Sequence, residues 1–196
     1  MCYIDEVCHR ASDLLKEFHV VHKKVPRVVV QSGDTRWKPP ASGMYKINFD
    51  GALFEEQACA GPRVVIRDSM GLIIGVLSQK IRHLGSVDMV EALAASRAIV
   101  FANEFCLQSV VMEGDFLRVI QAITAARPSR TMFGNVIADI HNLVSNVNWS
   151  FCHVKRGANK LAHPLARRAV ASTDFDVWLE DLPRDLEDVF QFDFHS

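Results

Sequence analysis

The stretch that decides the fold is YKINFDGA, residues 45–52. Apolar and polar side chains alternate from residue 45 to 49, which is the period of a β-strand with one buried face. Asp50 comes next and Gly51 follows it, so we expect the acid to lie where the strand ends and a turn begins. A carboxylate on a rigid strand can hold a metal ion in a fixed position.

Periodicity predicts a mixed α/β domain behind an N-terminal segment. Apolar residues recur at helical spacing over residues 4–24, which predicts an N-terminal amphipathic helix. The predicted strands are 44–50, 63–67, 72–80, 109–112 and 148–153, and the predicted helices are 86–103, 116–126, 136–145 and 158–172. This order indicates a five-stranded mixed sheet flanked by helices. We divide the chain into an N-terminal helix and linker, a main domain, and an acidic extension that packs on it, at 1–36, 37–173 and 174–196.

Composition is typical of a soluble globular protein. Of 196 residues, 49% are apolar and 23% are charged. The five cysteines are scattered without a Cys-x-x-Cys pair, which indicates neither a disulfide framework nor a zinc site. No signal peptide or membrane-spanning apolar run is visible, so we expect an intracellular protein of the nucleus or cytoplasm with no membrane contact.

Charge is distributed unevenly along the chain. The net charge is −1, yet residues 174–196 hold eight acids against one arginine. Residues 1–173 are therefore basic, and the end of the chain is acidic. This pattern fits either a solvated surface with an acidic end or a basic body that binds nucleic acid.

Three acids each have a structural interpretation when they are taken singly. Asp50 can be a turn residue, and Glu91 can close a capping box because it lies three residues after Asp88. Asp115 can cap the helix that follows it. Taken together, a strand end, a helix start and a strand-to-helix turn can converge, and clustered carboxylates repel one another unless a cation is present. The three acids therefore indicate a metal site for two ions that could activate water against a phosphodiester.

Five blocks of the sequence resemble the ribonuclease H type 1 superfamily, and in particular its plant reverse-transcriptase-like branch, which is often thought to derive from retroelements. The blocks are residues 48–52, 65–68 with Gly71, 91–94, 113–115, and 153–159 with 162–166. The resemblance covers roughly residues 37–190. It implies a ribonuclease H-like fold and a nucleic-acid-binding, metal-dependent endonuclease that hydrolyses the RNA strand of RNA–DNA hybrids.

The resemblance also implies roles for single residues. Asp50, Glu91 and Asp115 match the family's first three ligands of Mg²⁺, or of Mn²⁺ in its place. His153 matches a loop histidine that assists proton transfer or product release, and the family's fourth carboxylate falls at His163. The expected catalytic set is therefore Asp50, Glu91, Asp115, His153 and His163. The expected nucleic-acid contacts are Asn159, Lys155, Arg156 and Lys160.

Three departures from the family pattern leave alternatives open. His163 removes one negative charge and one hard oxygen ligand, Phe116 is bulky where relatives carry a small polar residue, and Pro62-Arg63 replaces a glycine-rich pair. One alternative is a catalytically weak or inactive nucleic-acid-binding module of retroelement origin. Another is a protein-interaction domain, in which residues 4–24 dock either on a partner or on the domain's own sheet. Both histidines and the basic residues also have purely structural or solvated interpretations, and we expect a monomer.

Overall fold

The computed structural model describes residues 36–82, 85–125, 131–144, 148–159 and 175–182, with residue 190 and the backbone of 27–28. The predicted helix at 4–24 and almost all of the predicted helix at 158–172 lie outside the described residues. Lys160 and His163 lie outside them as well.

A single mixed sheet forms the centre of the described structure. Its strands are β1 (Arg27–Val28), β2 (Tyr45–Phe54), β3 (Cys59–Arg67), β4 (Ile73–Gln79), β5 (Ile81–Arg82), β6 (Ser109–Gly114), β7 (Asn148–His153) and β8 (Phe175–Leu179). The strand order is β1-β7-β6-β2-β3-β4-β8, with β5 beside β3. β2, β3 and β4 form an antiparallel meander, whereas β6 and β7 run parallel to β2. The five predicted strands are therefore all present, and short strands extend the sheet beyond them.

Three helices cover one face of this sheet: α1 (Val87–Glu104), α2 (Leu117–Thr124) and α3 (Gly134–Leu143). Strand alternation sends Ile47, Phe49, Val64 and Ile66 to this face, where all four are buried. α1 contacts both β2 and β3, and many of its buried residues are alanines, whose small side chains let it lie close to the strands. No helix among the described residues is long and apolar enough to cross a membrane.

The position of Asp50 within its strand differs from the prediction. β2 continues through Gly51 to Phe54, and the turn that connects it to β3 lies four residues later, at 55–58. Asp50 is therefore a residue of the strand interior and not the end of the strand. The prediction was wrong because an Asp-Gly pair is a common turn signal, whereas here Gly51 has a different task, described below.

The opposite face of the sheet carries a smaller apolar cluster. Val65 of β3 and Val76 of β4 pack with Leu182, and Trp178 of β8 lies against them. β8 pairs antiparallel with β4 at the sheet edge. Part of the acidic extension thus joins the sheet as a strand, while the division of the chain into three segments stays a prediction.

A buried polar cluster, here called the lysine cluster, also lies on this opposite face and consists of Trp37, Lys46, Asn48, Arg67 and Glu113. The Lys46 ammonium lies 2.7 Å from a carboxylate oxygen of Glu113, whose other oxygen accepts from the Asn48 amide at 3.0 Å. The Asn48 oxygen accepts from both Trp37 and Arg67, at 3.0 and 2.9 Å. The Arg67 guanidinium stacks 3.7 Å from the centre of the buried Trp37 ring.

Candidate metal centre

Three carboxylates from distant parts of the chain meet at one place. Asp50 lies on β2, Glu91 lies near the start of α1, and Asp115 lies between β6 and α2. Each offers a carboxylate oxygen, and these three oxygens all lie within 4.8 Å of one another. Asp50 and Glu91 are buried, whereas Asp115 is partly exposed. The sequence predicts this convergence, and the structure contains it.

Two glycines allow the elements to come this close. A Cβ added to Gly51 would lie 2.9 Å from the carbonyl carbon and oxygen of Val90, so β2 and the first turn of α1 touch backbone to backbone. The Gly51 N–H donates to the Glu91 carboxylate at 3.2 Å, which fixes that side chain beside Asp50. At Gly114 an added Cβ would lie 2.5 Å from the Phe49 ring, so β6 also needs a residue without a side chain just before Asp115.

The helix-capping interpretations of two acids do not hold in the structure. Ser86 is the N-cap of α1, and its hydroxyl accepts from the Met89 N–H at 3.3 Å. Glu91 instead turns toward Gly51. The N-cap of α2 is Phe116, which makes no side-chain capping hydrogen bond, so Asp115 does not cap that helix. Neither carboxylate is therefore explained by the helix that it was expected to cap.

Burial and mutual repulsion shift the protonation of the cluster. Burial, followed by the nearby charges of Asp50 and Asp115, raises the pKa of Glu91 to about 9. Burial and the charge of Asp50 raise the pKa of Asp115, although Arg156 lowers it in part. Both shifts mean that the site holds a proton more readily than isolated carboxyl groups do. A site with this property also attracts other cations.

One cation is already present inside the cluster. Arg63 lies directly opposite Asp50 in the β2–β3 ladder, and its side chain is buried. Its guanidinium donates to the Asp50 carboxylate at 2.6 Å. Burial lowers the pKa of Arg63, and the charges of all three acids raise it. The sequence marks Arg63 only as a departure from the family pattern, whereas the hairpin turn at 55–58 sets the register that places it opposite Asp50.

The other predicted site residues lie around the cluster in different environments. His153 ends β7, and its Nε2 lies 3.2 Å from the backbone oxygen of Asp115. Arg156 is exposed, with its Nε 3.5 Å from the Asp115 carboxylate, and Lys155 beside it is also exposed. Asn159, predicted as a nucleic-acid contact, is instead buried, and its amide donates to the backbone oxygen of Phe49 at 3.0 Å.

The ring of Phe116 packs partly against the main apolar core. Part of this bulky side chain is therefore buried in the domain interior, and the ring does not stand wholly among the three carboxylates.

The donor set suits a hard divalent cation. Mg²⁺ takes oxygen ligands at about 2.0–2.1 Å, so oxygens on one ion lie up to roughly 4 Å apart. The three carboxylate oxygens lie within 4.8 Å of one another and could close onto an ion with small side-chain movements. Asp50, Glu91 and Asp115 therefore fit the family's ion, although Arg63 already occupies one oxygen of Asp50.

Comparison with known proteins assigns the chain to a family. The sequence model of a family described as reverse transcriptase-like matches residues 48–169. The chain belongs to the reverse transcriptase-like family. The matched range includes Asn48, Arg67 and Glu113 of the lysine cluster and all three acids of the candidate metal centre. A comparison with curated protein sequences finds no significant match to this chain.

Three of the solved structures to which this chain is similar are ribonucleases H. RNase H1 from the archaeon Halobacterium salinarum is 23% identical with a TM-score of 0.60, covering 65% of this chain and 98% of its own. The N-terminal RNase H domain of a Mycobacterium tuberculosis protein is 16% identical with a TM-score of 0.58, covering 65% and 98%. LC11-RNase H1 in complex with an RNA/DNA hybrid is 21% identical with a TM-score of 0.57, covering 65% and 96%. The predicted ribonuclease H-like fold is confirmed, whereas a plant or retroelement origin stays a prediction.

Proposed function

We propose that this protein binds RNA–DNA hybrids and hydrolyses their RNA strand with divalent cations, Mg²⁺ or Mn²⁺, held by Asp50, Glu91 and Asp115. The observation that carries the proposal is the meeting of these three carboxylates in a partly buried cluster. Family membership and the likeness in fold to an RNase H1 solved with an RNA/DNA hybrid support the substrate class.

The chemistry follows from how the chain holds its carboxylates. A bound divalent cation supplies Lewis acidity, which lowers the pKa of an attacking water and stabilises the departing 3′-oxygen of a phosphodiester. Asp50 presents its oxygens from the interior of a strand, and the Gly51 N–H orients Glu91. Such pre-positioned groups act without reorganising during the reaction. Glu91 is also proposed to face the RNA 2′-hydroxyl, the group that distinguishes RNA from DNA.

Residues at the rim of the cluster suit contact with the substrate. Lys155 and Arg156 are exposed next to Asp115, where they can meet phosphates and make hybrid affinity salt-dependent. His153 lies beside the same acid and is proposed to assist proton transfer or product release. Asn159 is proposed to act indirectly, because its hydrogen bond to Phe49 ties residue 159 to the strand that carries Asp50.

The direct test uses the purified full chain and an RNA–DNA hybrid labelled on either strand, with Mg²⁺ and then Mn²⁺. Glu91→Gln keeps the size of the side chain, removes a carboxylate and is expected to reduce RNA cleavage by at least about a hundredfold. Glu104→Gln, at the exposed end of the same helix, is the matched control. Equal cleavage by wild type and Glu91→Gln would assign the activity to a contaminant and contradict the proposal.

Glu91→Gln is a cleaner test than Asp50→Asn. Asparagine at position 50 would remove the carboxylate that pairs with buried Arg63, so a loss of activity could reflect a loss of folding. Glu91 accepts a hydrogen bond from the Gly51 N–H, and a glutamine oxygen can still accept that bond.

A second candidate function is a nucleic-acid-binding module with weak or absent turnover. The observation that favours it is the short Arg63–Asp50 pair inside the cluster. In this case the hybrid binds, loses affinity at high salt, and stays intact in both Mg²⁺ and Mn²⁺. A separate protein partner for residues 4–24 is tested by deleting residues 1–36 and comparing both stability and captured partners.

A further inference from the structure

We infer that Arg63 is a built-in counter-ion of the acid cluster that competes with divalent cations for Asp50 and so weakens metal binding at this site. The inference rests on the proposed metal site, but it concerns the affinity for the ion and not the cleavage of nucleic acid. Arg63 has no part in the proposed cleavage chemistry.

Arg63 contacts Asp50 directly. It is 1% exposed and faces Asp50 across the β2–β3 ladder, with its Nη2 2.6 Å from Asp50 Oδ2. A hydrogen bond of this length between two charged groups is among the stronger ones in proteins. One of the two oxygens of Asp50 is therefore engaged by the protein itself.

The guanidinium also acts on the other two acids. Arg63 contacts Asp50, which offers a carboxylate oxygen within 4.8 Å of those of Glu91 and Asp115, and the charges of all three acids raise the pKa of Arg63 against the lowering effect of burial. A metal ion held by these carboxylates would place its own charge in the same region. Two cations in one small, poorly solvated region repel each other strongly, so ion binding requires Arg63 to shift or has to tolerate its repulsion.

Backbone constraints limit how far Arg63 can withdraw. β3 lies between β2 and β4, all of its residues are buried, and Arg63 pairs with Asp50 on one side and Ser78 on the other. A side chain on such a strand can change rotamer, but its Cα cannot leave the site. An exposed arginine such as Arg156, by contrast, can release a carboxylate to solvent at little cost.

The consequence is a site that is partly neutralised in the absence of metal. Arg63 engages one of the two oxygens of Asp50, which suits the binding of one cation better than the two-ion site that the sequence indicates. Replacement of Arg63 by a neutral residue is expected to tighten divalent binding by at least about tenfold, because a unit charge at this range shifts ionic equilibria by one or more powers of ten.

The test measures Mn²⁺ affinity of the metal-free full chain, without nucleic acid, from the free-Mn²⁺ signal in electron paramagnetic resonance. Arg63→Ala and Arg63→Gln are expected to bind Mn²⁺ at least about tenfold more tightly than wild type. Arg63→Lys keeps the charge and is expected to stay much closer to wild type. Arg97→Ala on α1 removes one positive charge from a surface ion pair and controls for net charge. Wild-type affinity in folded Arg63→Ala and Arg63→Gln would overturn the inference.

A measurement on the unmodified chain covers the case in which the Arg63 variants fail to fold. Mg²⁺ is titrated into ¹⁵N-labelled wild type while the Gly51 amide and the Arg63 side-chain signals are followed by NMR. Both signals are expected to shift together as Arg63 yields Asp50 to the ion. A shift of Gly51 alone, with Arg63 unchanged, would contradict the competition.

Hybrid cleavage is measured separately on the same variants, so the two proposals fail in different ways. Tighter Mn²⁺ binding by Arg63→Gln without cleavage supports the counter-ion role and rejects the nuclease. Cleavage with unchanged Mn²⁺ affinity supports the nuclease and rejects the counter-ion role.

Discussion

The lysine cluster and the candidate metal centre are built on the same strands but differ in charge balance. In the lysine cluster the positive charges of Lys46 and Arg67 meet one acid, Glu113, and the Asn48 amide links the groups. In the metal centre three carboxylates share the single buried guanidinium of Arg63. Both clusters are largely buried, but with every group ionised the lysine cluster has one surplus positive charge, whereas the metal centre has two surplus negative charges.

The difference separates a structural role from a functional one. A polar cluster whose groups are linked by hydrogen bonds can be buried without a large loss of stability. A surplus of negative charge raises the pKa of its members and destabilises the fold unless a cation binds. The hydrogen bonds of the lysine cluster therefore account for its burial, whereas the metal centre would be stabilised by a bound cation.

The largest expected effect breaks the lysine cluster. Glu113→Ala leaves the ammonium of Lys46 buried opposite an empty space and is expected to reduce the free energy of unfolding by about 3–5 kcal/mol. Chemical denaturation measures this loss. Glu104→Ala on the surface serves as the control and should change the same quantity by less than about 0.5 kcal/mol. A similarly small change for Glu113→Ala would contradict a structural role for the cluster.

The metal centre should respond in the opposite direction. Because the pKa of Glu91 is raised to about 9, the folded protein prefers its protonated form. The contribution of Glu91 to the stability of the metal-free protein is then fully present below about pH 4.5 and is lost as the pH rises toward 9, by at most about 1.4 kcal/mol per pH unit. Glu91→Gln should flatten this dependence and make the protein more stable than wild type at pH 7.

Denaturation curves over this pH range, recorded with a chelator, provide the measurement. Addition of Mg²⁺ or Mn²⁺ at pH 8 should raise the free energy of unfolding of wild type. The same addition should not raise that of Glu91→Gln. A pH profile that is the same for both proteins would show that Glu91 is not strained by its neighbours.

A smaller effect concerns the close contact of α1 with β2. Gly51→Ala places a methyl group 2.9 Å from the Val90 backbone, so α1 must move away from the strand. Such overpacking is expected to destabilise the protein by about 1–3 kcal/mol, and it should also weaken Mn²⁺ binding because Glu91 moves with the helix. Calorimetry and Mn²⁺ titration measure the two effects, and unchanged metal affinity would separate the helix position from the site.

The smallest effect on stability is expected at the rim. Arg156→Ala removes an exposed side chain and should change the free energy of unfolding by less than about 0.5 kcal/mol. It should nevertheless weaken hybrid binding and lower the slope of log affinity against log salt by about 1. Filter-binding assays at several salt concentrations measure that slope, and a slope equal to that of wild type would remove Arg156 from the interface.

Much of the architecture could be predicted because periodicity reports burial. The predicted strands 63–67 and 72–80 are joined by a tight turn, in which the Gly71 N–H donates to the Asp68 backbone oxygen at 3.1 Å and Gly71 has a φ of +84°. The strand at 175–179 was not predicted, because its apolar Phe175, Val177 and Leu179 are the exposed residues and the pattern does not mark a buried face.

The content of the site was less accessible from sequence than its location. The three acids could be chosen because the sequence pattern predicts a turn or element start at each, but Arg63 enters only through the strand register that sets it opposite Asp50. Likewise, Lys46 and Glu113 are 67 residues apart in number and meet only because β2 and β6 are neighbours. Pairing between distant strands is a tertiary property that local patterns do not contain.

The central claim is that Asp50, Glu91 and Asp115 form one divalent cation site. Crystals of the full chain soaked in saturating Mn²⁺ and measured at the manganese absorption edge test it most directly. We expect an anomalous peak within about 2.0–2.6 Å of oxygens from these carboxylates. This peak should be stronger in Arg63→Gln than in wild type. Manganese bound elsewhere, with no peak among the three acids in either protein, would contradict it.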